Sequence, residues 1–403
     1  MDALSEADAG VARTARSLGV CDHCLGRLFT HIWRGTTNRE RGVRVRELLS
    51  IPPVEGCKVC GTITSKVAFY SSIAVESLRE WEYRTFLIGT RVEPEVQASE
   101  EAMWRAVGRT GEPVKRELNR EIGKLVERET GHEVGFEMPD ITVIVDTRYD
   151  FAKAEVHSLY IHGRYRKLVR GIPQTRWLCT RCEGRGCEHC EEEGRMYPES
   201  VEELIGRELL APYGARDFRL HGMGREDIDA LMLGNGRPFV LELLTPRKRV
   251  LDLNEMSALV NEKAGGKVEV VQLSYARAPD VERVKAARFD KSYEVEVACE
   301  GGTDGIEVAV GSLAGVELKQ RTPNRVSQRR ADLVRERMIV DARVLRKDEG
   351  KAFIMFRVNA GTYVKELVTG DGGRTVPSLA SALGRRCEVL GLDVTEIHDE
   401  KNR

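Results

Sequence analysis

Apolar residues recur at helical spacing in some stretches of the chain and alternate with polar residues in others. The helical spacing predicts helices, one or two of them in the second stretch, over 3–18, 99–129, 201–210 and 228–233. Alternating or short apolar runs bounded by turn residues predict strands over 65–74, 141–146, 156–162, 239–244, 268–276, 292–299, 338–345 and 353–359. The mixture predicts an α+β fold.

Length and composition limit the class of protein. A chain of 403 residues is too long for one ordinary core, so two or three domains are expected. A hydrophobic content of 41% and a charged content of 32% are typical of a globular protein. The acidic N-terminal stretch lacks the apolar segment of a signal peptide, and no run approaches eighteen uncharged apolar residues. We therefore expect a cytoplasmic protein without membrane spans.

The net charge of the chain does not indicate nucleic-acid binding, because 63 basic residues are balanced by 64 acidic ones. A surface that binds nucleic acid would have to be a local one. Two runs nevertheless lack acidic residues. The first, 156–182, interleaves three aromatic residues with Arg164, Arg166, Lys167, Arg170, Arg176 and Arg181. The second, 321–330, contains Arg321, Arg325, Arg329 and Arg330. One such run is typical of a solvated basic surface, but two favour RNA contact, since cations neutralise phosphates and aromatic rings stack on unpaired bases.

Eight of the ten cysteines form four Cys-x-x-Cys pairs: Cys21/Cys24, Cys57/Cys60, Cys179/Cys182 and Cys187/Cys190. Without an export signal this pattern favours metal ligation over disulfides. The last two pairs fall within twelve residues, and Gly184 and Gly186 allow the tight turn that brings them together. Four thiolates fill a tetrahedral zinc site, so any zinc here is structural. Whether the first two pairs share one ion stays open.

A carboxylate motif follows the second cysteine cluster. The segment His221-Gly-Met-Gly-Arg-Glu-Asp227-Ile-Asp229 places Asp227 on a glycine-rich turn before the predicted helix 228–233. The dipole of that helix would help to keep the carboxylate ionised. By itself the pattern is more typical of an ordinary acidic helix start.

Two later motifs change this interpretation. Lys291-Ser-Tyr293 opens a predicted strand, and Gly361-Thr-Tyr363-Val-Lys365-Glu-Leu joins a strand to a helix. Together with Gly-Arg-x-Asp, in this order, they resemble the motif set of pseudouridine synthases. The whole chain resembles the archaeal Pus10 family of tRNA pseudouridine-54/55 synthases. The resemblance extends from the early Cys-Asp-His-Cys through Gly-Arg-Pro-Phe-Val-Leu-Glu to Gly-Asp-x-Gly-Arg-Thr-x-Pro-Ser.

The resemblance implies a domain order. A zinc-binding segment over 1–64 precedes a THUMP-like RNA-binding domain over 65–177. A zinc knuckle over 178–196 then leads into a synthase domain over 197–403, built on a mixed, largely antiparallel sheet.

The resemblance also implies residue roles. Asp227 is the catalytic aspartate and Lys365 its ion-pair partner, while Tyr293 stacks on the target base and assists proton removal from C5. The remaining pocket residues contact the substrate or form apolar walls: Tyr363, Val364 and Leu392. The run 321–330 is expected to contact the RNA.

The implied reaction is isomerisation of uridine to pseudouridine in the TΨC loop of tRNA, at position 55 and also at 54, by a monomeric enzyme. The base leaves through N1 and rejoins through C5 without redox change, so no organic cofactor is needed. Two alternatives stay open: a non-catalytic zinc-dependent tRNA-binding protein, and a different THUMP-type tRNA-modifying enzyme. An enzyme that thiolates tRNA would require an added nucleotide, and one that methylates tRNA would require a methyl donor. The chain shows no convincing loop for binding either compound.

Overall fold

The structure, a computed structural model, describes residues 4–328 and 330–399. The chain forms two compact units. The first runs to Ser158 and includes Thr245–Arg249, and the second comprises Leu159–Leu244 and the chain from Val250 onward. The division falls earlier than the domain boundary expected after residue 177, because the strand that begins at Leu159 pairs within the second unit.

The first unit packs helices around a small sheet. Its helices are α1 Glu6–Ser17, α2 Asp22–Arg27, α3 Asn38–Leu48, α4 Val67–Leu78, α5 Pro94–Val107 and α6 Val114–Thr130. Its strands are β1 Thr85–Arg91, β2 Glu133–Val134, β3 Ile141–Asp146 and β4 Phe151–Val156. The strands run in the order β2-β1-β3-β4, and only the β3–β4 pair is antiparallel.

The strand predicted over 65–74 is wrong, because this segment enters α4. Tyr70, Ala74 and Leu78 are buried at intervals of four residues, which is the spacing of one helix face rather than of a strand. The strand predicted over 156–162 is displaced, since His157 and Ser158 separate β4 from the next strand.

The second unit is built on a large sheet. Its strands are β5 Leu159–Lys167, β6 Asp217–Gly222, β7 Leu231–Leu244, β8 Val268–Ala276, β9 Lys291–Cys299, β10 Val316–Arg321, β11 Val334–Asp348, β12 Lys351–Val358, β13 Thr375–Val376 and β14 Cys387–Ile397. Its helices are α7 Val201–Tyr213, α8 Leu253–Lys263, α9 Ala278–Ala286, α10 Ile306–Gly311, α11 Val364–Thr369 and α12 Leu379–Leu383.

The strands follow the order β13-β10-β11-β12-β9-β14-β7-β5-β8, and β6 pairs with β7. The β14–β7 pair is parallel and the other pairs are antiparallel. This confirms the predicted α+β class with a mixed, largely antiparallel sheet. Within the described residues, no helix is both long and apolar enough to cross a bilayer.

Candidate active site and metal clusters

Asp227 lies on the loop 223–230, hereafter the Asp227 loop, which joins β6 to β7. The helix predicted over 228–233 is wrong, because Leu231 already pairs with Asp393 of β14. Sheet pairing outweighs the apolar spacing of this short segment, and a helix dipole is therefore not available to Asp227. The Asp227 side chain is 39% exposed, so a ligand can reach its carboxylate.

Two cations approach Asp227 from different elements. Nζ of Lys365, in the first turn of α11, lies 3.3 Å from Oδ2 of Asp227, and a guanidinium nitrogen of Arg325 lies 3.5 Å from the same oxygen. Lys365 is shared, because its Nζ also lies 2.8 Å from Oδ2 of Asp229. Partial burial opposes ionisation of Asp229, but the hydrogen bonds and charge of Lys365 outweigh it and lower the pKa of Asp229. The loop therefore presents two carboxylates against one ammonium.

Tyr363 stands beside this group at the start of α11. The guanidinium carbons of Arg325 and Arg330 each lie 5.9 Å from its ring centroid, and Arg330 donates a 2.9 Å hydrogen bond to its hydroxyl. The buried Gln320 amide holds the Tyr363 backbone at both N–H and C=O. Arg325 also donates to Glu366 at 2.7 Å. Of the run 321–330, Arg329 lies outside the described residues.

Tyr293 lies on β9, beside Phe356 of β12 and Val394 of β14. Burial raises its pKa to about 12, with Asp227 and Glu226 adding to the rise and Arg237 opposing it. The phenol therefore stays protonated near neutral pH. The two residues expected as apolar walls are buried in the adjoining core: Val364 and Leu392.

A buried polar group supports the Asp227 loop from within. The Glu226 carboxylate pairs with Arg237 on β7 at 2.7 Å and accepts a 2.9 Å hydrogen bond from the hydroxyl of Tyr165 on β5. The amide of Gln174 donates both to that hydroxyl and to the carbonyl of Gly224. Arg237 donates to a second loop carbonyl, that of Met223, at 2.7 Å.

Sequence reasoning missed this group. The only sign of this group in the sequence is that Glu226 is adjacent to Asp227. A carboxylate in a polar loop is normally expected to be solvated, so this sign does not predict a buried ion pair. The cross-strand register of Tyr165 with Arg237 makes both side chains meet Glu226.

The structure corrects the interpretation of Lys167 as an RNA contact. Lys167 is fully buried, and its Nζ donates to the carbonyls of Ile172, Asp227 and Ile228 at 3.0–3.1 Å. Arg170 donates to the next loop carbonyl, that of Asp229, at 2.6 Å. Both cations therefore hold the backbone of the Asp227 loop, and Lys167 cannot face RNA in this fold.

Arg164 needs the same correction, because its side chain is buried and donates to the carbonyls of Asn235 and Gly236. Arg166 and Arg176 are more exposed. Arg166 pairs with Glu269 at 2.8 Å, and Arg176 lies over the ring of Phe218 at 4.8 Å.

The cysteine clusters are assembled as two separate groups of four. In each, the sulfur atoms lie within 4.8 Å of one another: Cys21, Cys24, Cys57 and Cys60; Cys179, Cys182, Cys187 and Cys190. Closer pairs within the groups are 3.4–3.8 Å apart. A tetrahedral zinc with bonds of about 2.3 Å requires sulfurs about 3.8 Å apart, so both groups fit zinc.

The surroundings of the first cluster also fit a zinc–tetrathiolate group, which carries net negative charge. The fully buried guanidinium of Arg27 lies 3.0 Å from the Cys24 sulfur. Arg27 is itself held by Glu100 at 3.1 Å and Glu117 at 3.7 Å. In the second cluster, the backbone N–H of Gly194 donates to the Cys190 sulfur at 3.2 Å.

Two family models match the chain: "Pus10, C-terminal" over residues 160–398 and "Pus10 THUMP domain, archaeal" over residues 70–146. A protein of Methanopyrus kandleri called tRNA pseudouridine synthase Pus10 is 40% identical, over 94% of this chain and 96% of its own. Proteins of the same name from Halorubrum lacusprofundi and Archaeoglobus fulgidus are 40% and 41% identical, covering 99% and 85% of this chain and 97% and 95% of their own.

Among solved structures, a "Cbf5-Nop10-Gar1 Complex" is similar with a TM-score of 0.31 and 14% identity over 58% of each chain, too low to carry an argument. The sequence relatives and the larger family model are sufficient to assign the family. The chain is therefore a member of the pseudouridine synthases. The chain belongs to the Pus10 family of tRNA pseudouridine synthases.

Proposed function

We propose that this chain isomerises uridine to pseudouridine in the TΨC loop of tRNA, at position 55 and also at 54, with Asp227 as the catalytic carboxylate. The observation that carries the assignment of Asp227 is its position on a loop held by buried donors, with Lys365 3.3 Å from its exposed carboxylate. Family membership supports the reaction, and the partial exposure of Asp227 supports access by a nucleotide.

The chemistry requires a bond exchange without net oxidation. The N1–C1′ bond breaks, C5 bonds to C1′, C5 loses its proton and N1 gains one. Asp227 either attacks the nucleoside or removes the C2′ proton, and both roles need an ionised carboxylate. Lys365 and Arg325 stabilise that charge. Tyr293 stacks on the freed base and assists the removal of the proton from C5.

The target uridine must leave its stack to reach Asp227. We assign the RNA contacts beside the site to Arg325 and Arg330, which lie against Tyr363. Arg329 of the same run, outside the described residues, stays a predicted RNA contact on the sequence alone. The more exposed members of the earlier run are assigned weaker, peripheral contacts: Arg166, Arg170 and Arg176. Zinc at both cysteine clusters is assigned a structural role, because four thiolates leave no open coordination position.

The test compares wild type, Asp227→Asn and Asp229→Asn on an unmodified tRNA transcript. Carbodiimide modification and primer extension map pseudouridine, and fluorescence anisotropy measures tRNA affinity. Asp229→Asn is a matched control, because it removes a carboxylate two residues away that shares Lys365. We expect Asp227→Asn to lose at least about 1,000-fold in rate at unchanged affinity, and Asp229→Asn to stay within about 10-fold.

Stops at positions 54 and 55 with wild type alone support the full proposal, and a stop at 55 only restricts it to one position. Tight tRNA binding without any stop favours the non-catalytic tRNA-binding protein. A product that forms only with an added nucleotide or methyl donor favours the other modifying enzymes. Equal loss in the two Asn variants contradicts the assignment of Asp227.

A further inference from the structure

The zinc knuckle carries a small cavity on the surface of the second unit, of about 230 Å³. It is bordered by Arg176, Trp177, Leu178, Arg195, Tyr197 and Arg207, with two acidic and two glycine residues completing the wall. Sites for drug-sized ligands are about 300–1,000 Å³, so this cavity suits a group the size of one nucleobase.

The knuckle builds this cavity by pairing its two ends. The N–H of Cys179 donates to the carbonyl of Gly194 at 2.8 Å, and the N–H of Met196 donates to the carbonyl of Trp177 at 2.9 Å. This short antiparallel ladder sets the rings of Trp177 and Tyr197 edge to face, with centroids 5.5 Å apart. The cysteines next to the ladder therefore fix where the aromatic side chains stand.

The Asp227 loop reaches the same place through Arg225. Its guanidinium carbon lies 4.9 Å from the Trp177 ring centroid. Arg225 is exposed, and within residues 4–328 and 330–399 no carboxylate forms an ion pair with it. Because Arg225 precedes Asp227 by two residues, their Cα atoms are at most about 7 Å apart. The ring of Trp177 is therefore linked to the loop that carries Asp227 through a single side chain, that of Arg225.

The charges around the cavity suit an anion with a flat, apolar part. Arg195 and Arg207 both pair with the Glu203 carboxylate, whose side chain is 6% exposed, and Arg195 also pairs with the Glu193 carboxylate at 3.4 Å. The Glu193 side chain is 62% exposed and that of Arg207 is 52% exposed, so a phosphate can reach the Arg207 guanidinium from solvent. Leu178, 58% exposed, adds an apolar surface beside the rings. A nucleotide combines these features, because its base stacks on aromatic and guanidinium planes while its phosphate binds arginine.

We propose that this cavity is a subsite for one unpaired nucleotide of the tRNA, near the target uridine. The base stacks on the Trp177–Arg225 pair, and the phosphate lies against Arg195 and Arg207. The identity of this ligand rests on the proposed function, since it is a nucleotide of the same tRNA. The knuckle thereby acquires a role in binding besides any structural one.

The test compares Trp177→Phe with Trp177→Leu. Phe keeps a flat ring, whereas Leu keeps apolar bulk without one. A structural disturbance of the knuckle would weaken binding of any RNA, whereas loss of a base stack weakens only binding of RNA with unpaired bases. Affinity is measured by anisotropy at fixed salt, for unmodified tRNA and for a blunt RNA duplex without unpaired bases. Phe353→Ala is the control, because it removes another arginine-capped ring, 3.6 Å below the guanidinium of Arg346, at a distance in sequence from the knuckle.

We expect Trp177→Leu to bind tRNA about 10-fold more weakly, the effect of losing one base–aromatic stack, and Trp177→Phe to stay within about threefold. Duplex affinity stays unchanged in both, as does tRNA affinity in Phe353→Ala. Equal tRNA affinities for the Leu and Phe variants, at wild-type metal content, overturn the subsite.

A second measurement uses the wild type, so it does not depend on the folding of a variant. Photocross-linking to tRNA that carries 5-iodouridine in the TΨC loop should label the peptide containing Trp177, and absence of this label overturns the proposal. These measurements distinguish a failure of the subsite from a failure of the proposed reaction. Trp177-dependent binding without pseudouridine removes only the reaction, whereas pseudouridine with equal Leu and Phe affinities removes only the subsite.

Discussion

The Glu226 carboxylate lies 2.7 Å from the guanidinium of Arg237, and both side chains are only 1% exposed. This buried pair sits next to Asp227 in sequence, and Arg237 also holds the carbonyl of Met223. A buried ion pair seldom adds net stability over an apolar pair, but breaking it leaves an uncompensated charge. Its use in this protein is therefore positional, because it sets the backbone that carries Asp227.

Breaking that pair tests the idea. Glu226→Leu should lower the free energy of unfolding by about 3–5 kcal/mol, because Arg237 loses its buried partner. The double variant Glu226→Leu/Arg237→Met should recover most of this stability and still lose activity, because Met223 then lacks its donor. Denaturant unfolding and single-turnover pseudouridine formation measure the two effects. A double variant with wild-type activity contradicts the positional role.

Lys167 offers a second test of loop positioning. Lys167→Met removes the donor to three backbone carbonyls, including that of Asp227 itself. We expect the rate at saturating tRNA to fall about 10–100-fold, because a displacement of about 1 Å has effects of this size. The tRNA affinity should change less than about threefold, since Lys167 is buried. Arg166→Met, one residue earlier on β5, is the control for the rate only, because Arg166 pairs with Glu269 and the carbonyl of Gly234 rather than with the Asp227 loop. A loss of affinity larger than the loss of rate supports RNA contact instead.

The metal clusters should be separable. Purified wild type should contain about two zinc ions per chain, one per group of four cysteines. Cys182→Ser and Cys24→Ser should each remove one, by mass spectrometric metal analysis, and lower thermal stability. Cys299→Ser, outside both groups, should keep both ions. Loss of both ions from either single variant contradicts independent sites.

The pH dependence of stability should reveal Lys291, the lysine of the Lys-x-Tyr motif. Burial, followed by the charges of Arg237 and Arg288, lowers the pKa of Lys291 to about 8, from an ordinary value of 10.5. Between these values the unfolded chain binds the proton and the folded chain does not. The contribution of Lys291 to the free energy of unfolding therefore increases between about pH 8 and pH 10.5, by up to about 1.4 kcal/mol per pH unit.

The measurement is the difference in unfolding free energy between wild type and Lys291→Met across pH 7–10. We expect the variant to be the more stable at pH 7, because it removes the cost of a partly buried charge. That advantage should shrink as the pH rises above 8. A difference that stays constant over the range contradicts the lowered pKa.

Part of this molecule can be inferred from local sequence alone. The paired spacing of cysteines indicated both clusters, because a Cys-x-x-Cys turn already sets the distance between two ligands. The motifs around Asp227, Tyr293 and Lys365 indicated a common site only through their resemblance to the motif set of pseudouridine synthases. Strands such as β3 and β12 followed from local pattern, since their buried positions alternate.

The tertiary structure decided which charges face inward. Lys167 and Arg164 belong to a run that local composition describes as basic surface, yet both are buried. The Asp227 loop accepts the hydrogen bonds of Lys167, and the carbonyls of Asn235 and Gly236 accept those of Arg164. The pairing of β5 with β7 sets Tyr165 opposite Arg237, and both reach Glu226. Likewise, Leu231 joins the sheet rather than a helix because Asp393, far along the chain, lies opposite. Composition and spacing act within a few residues of each other, whereas burial depends on partners that are distant in sequence and adjacent only after folding.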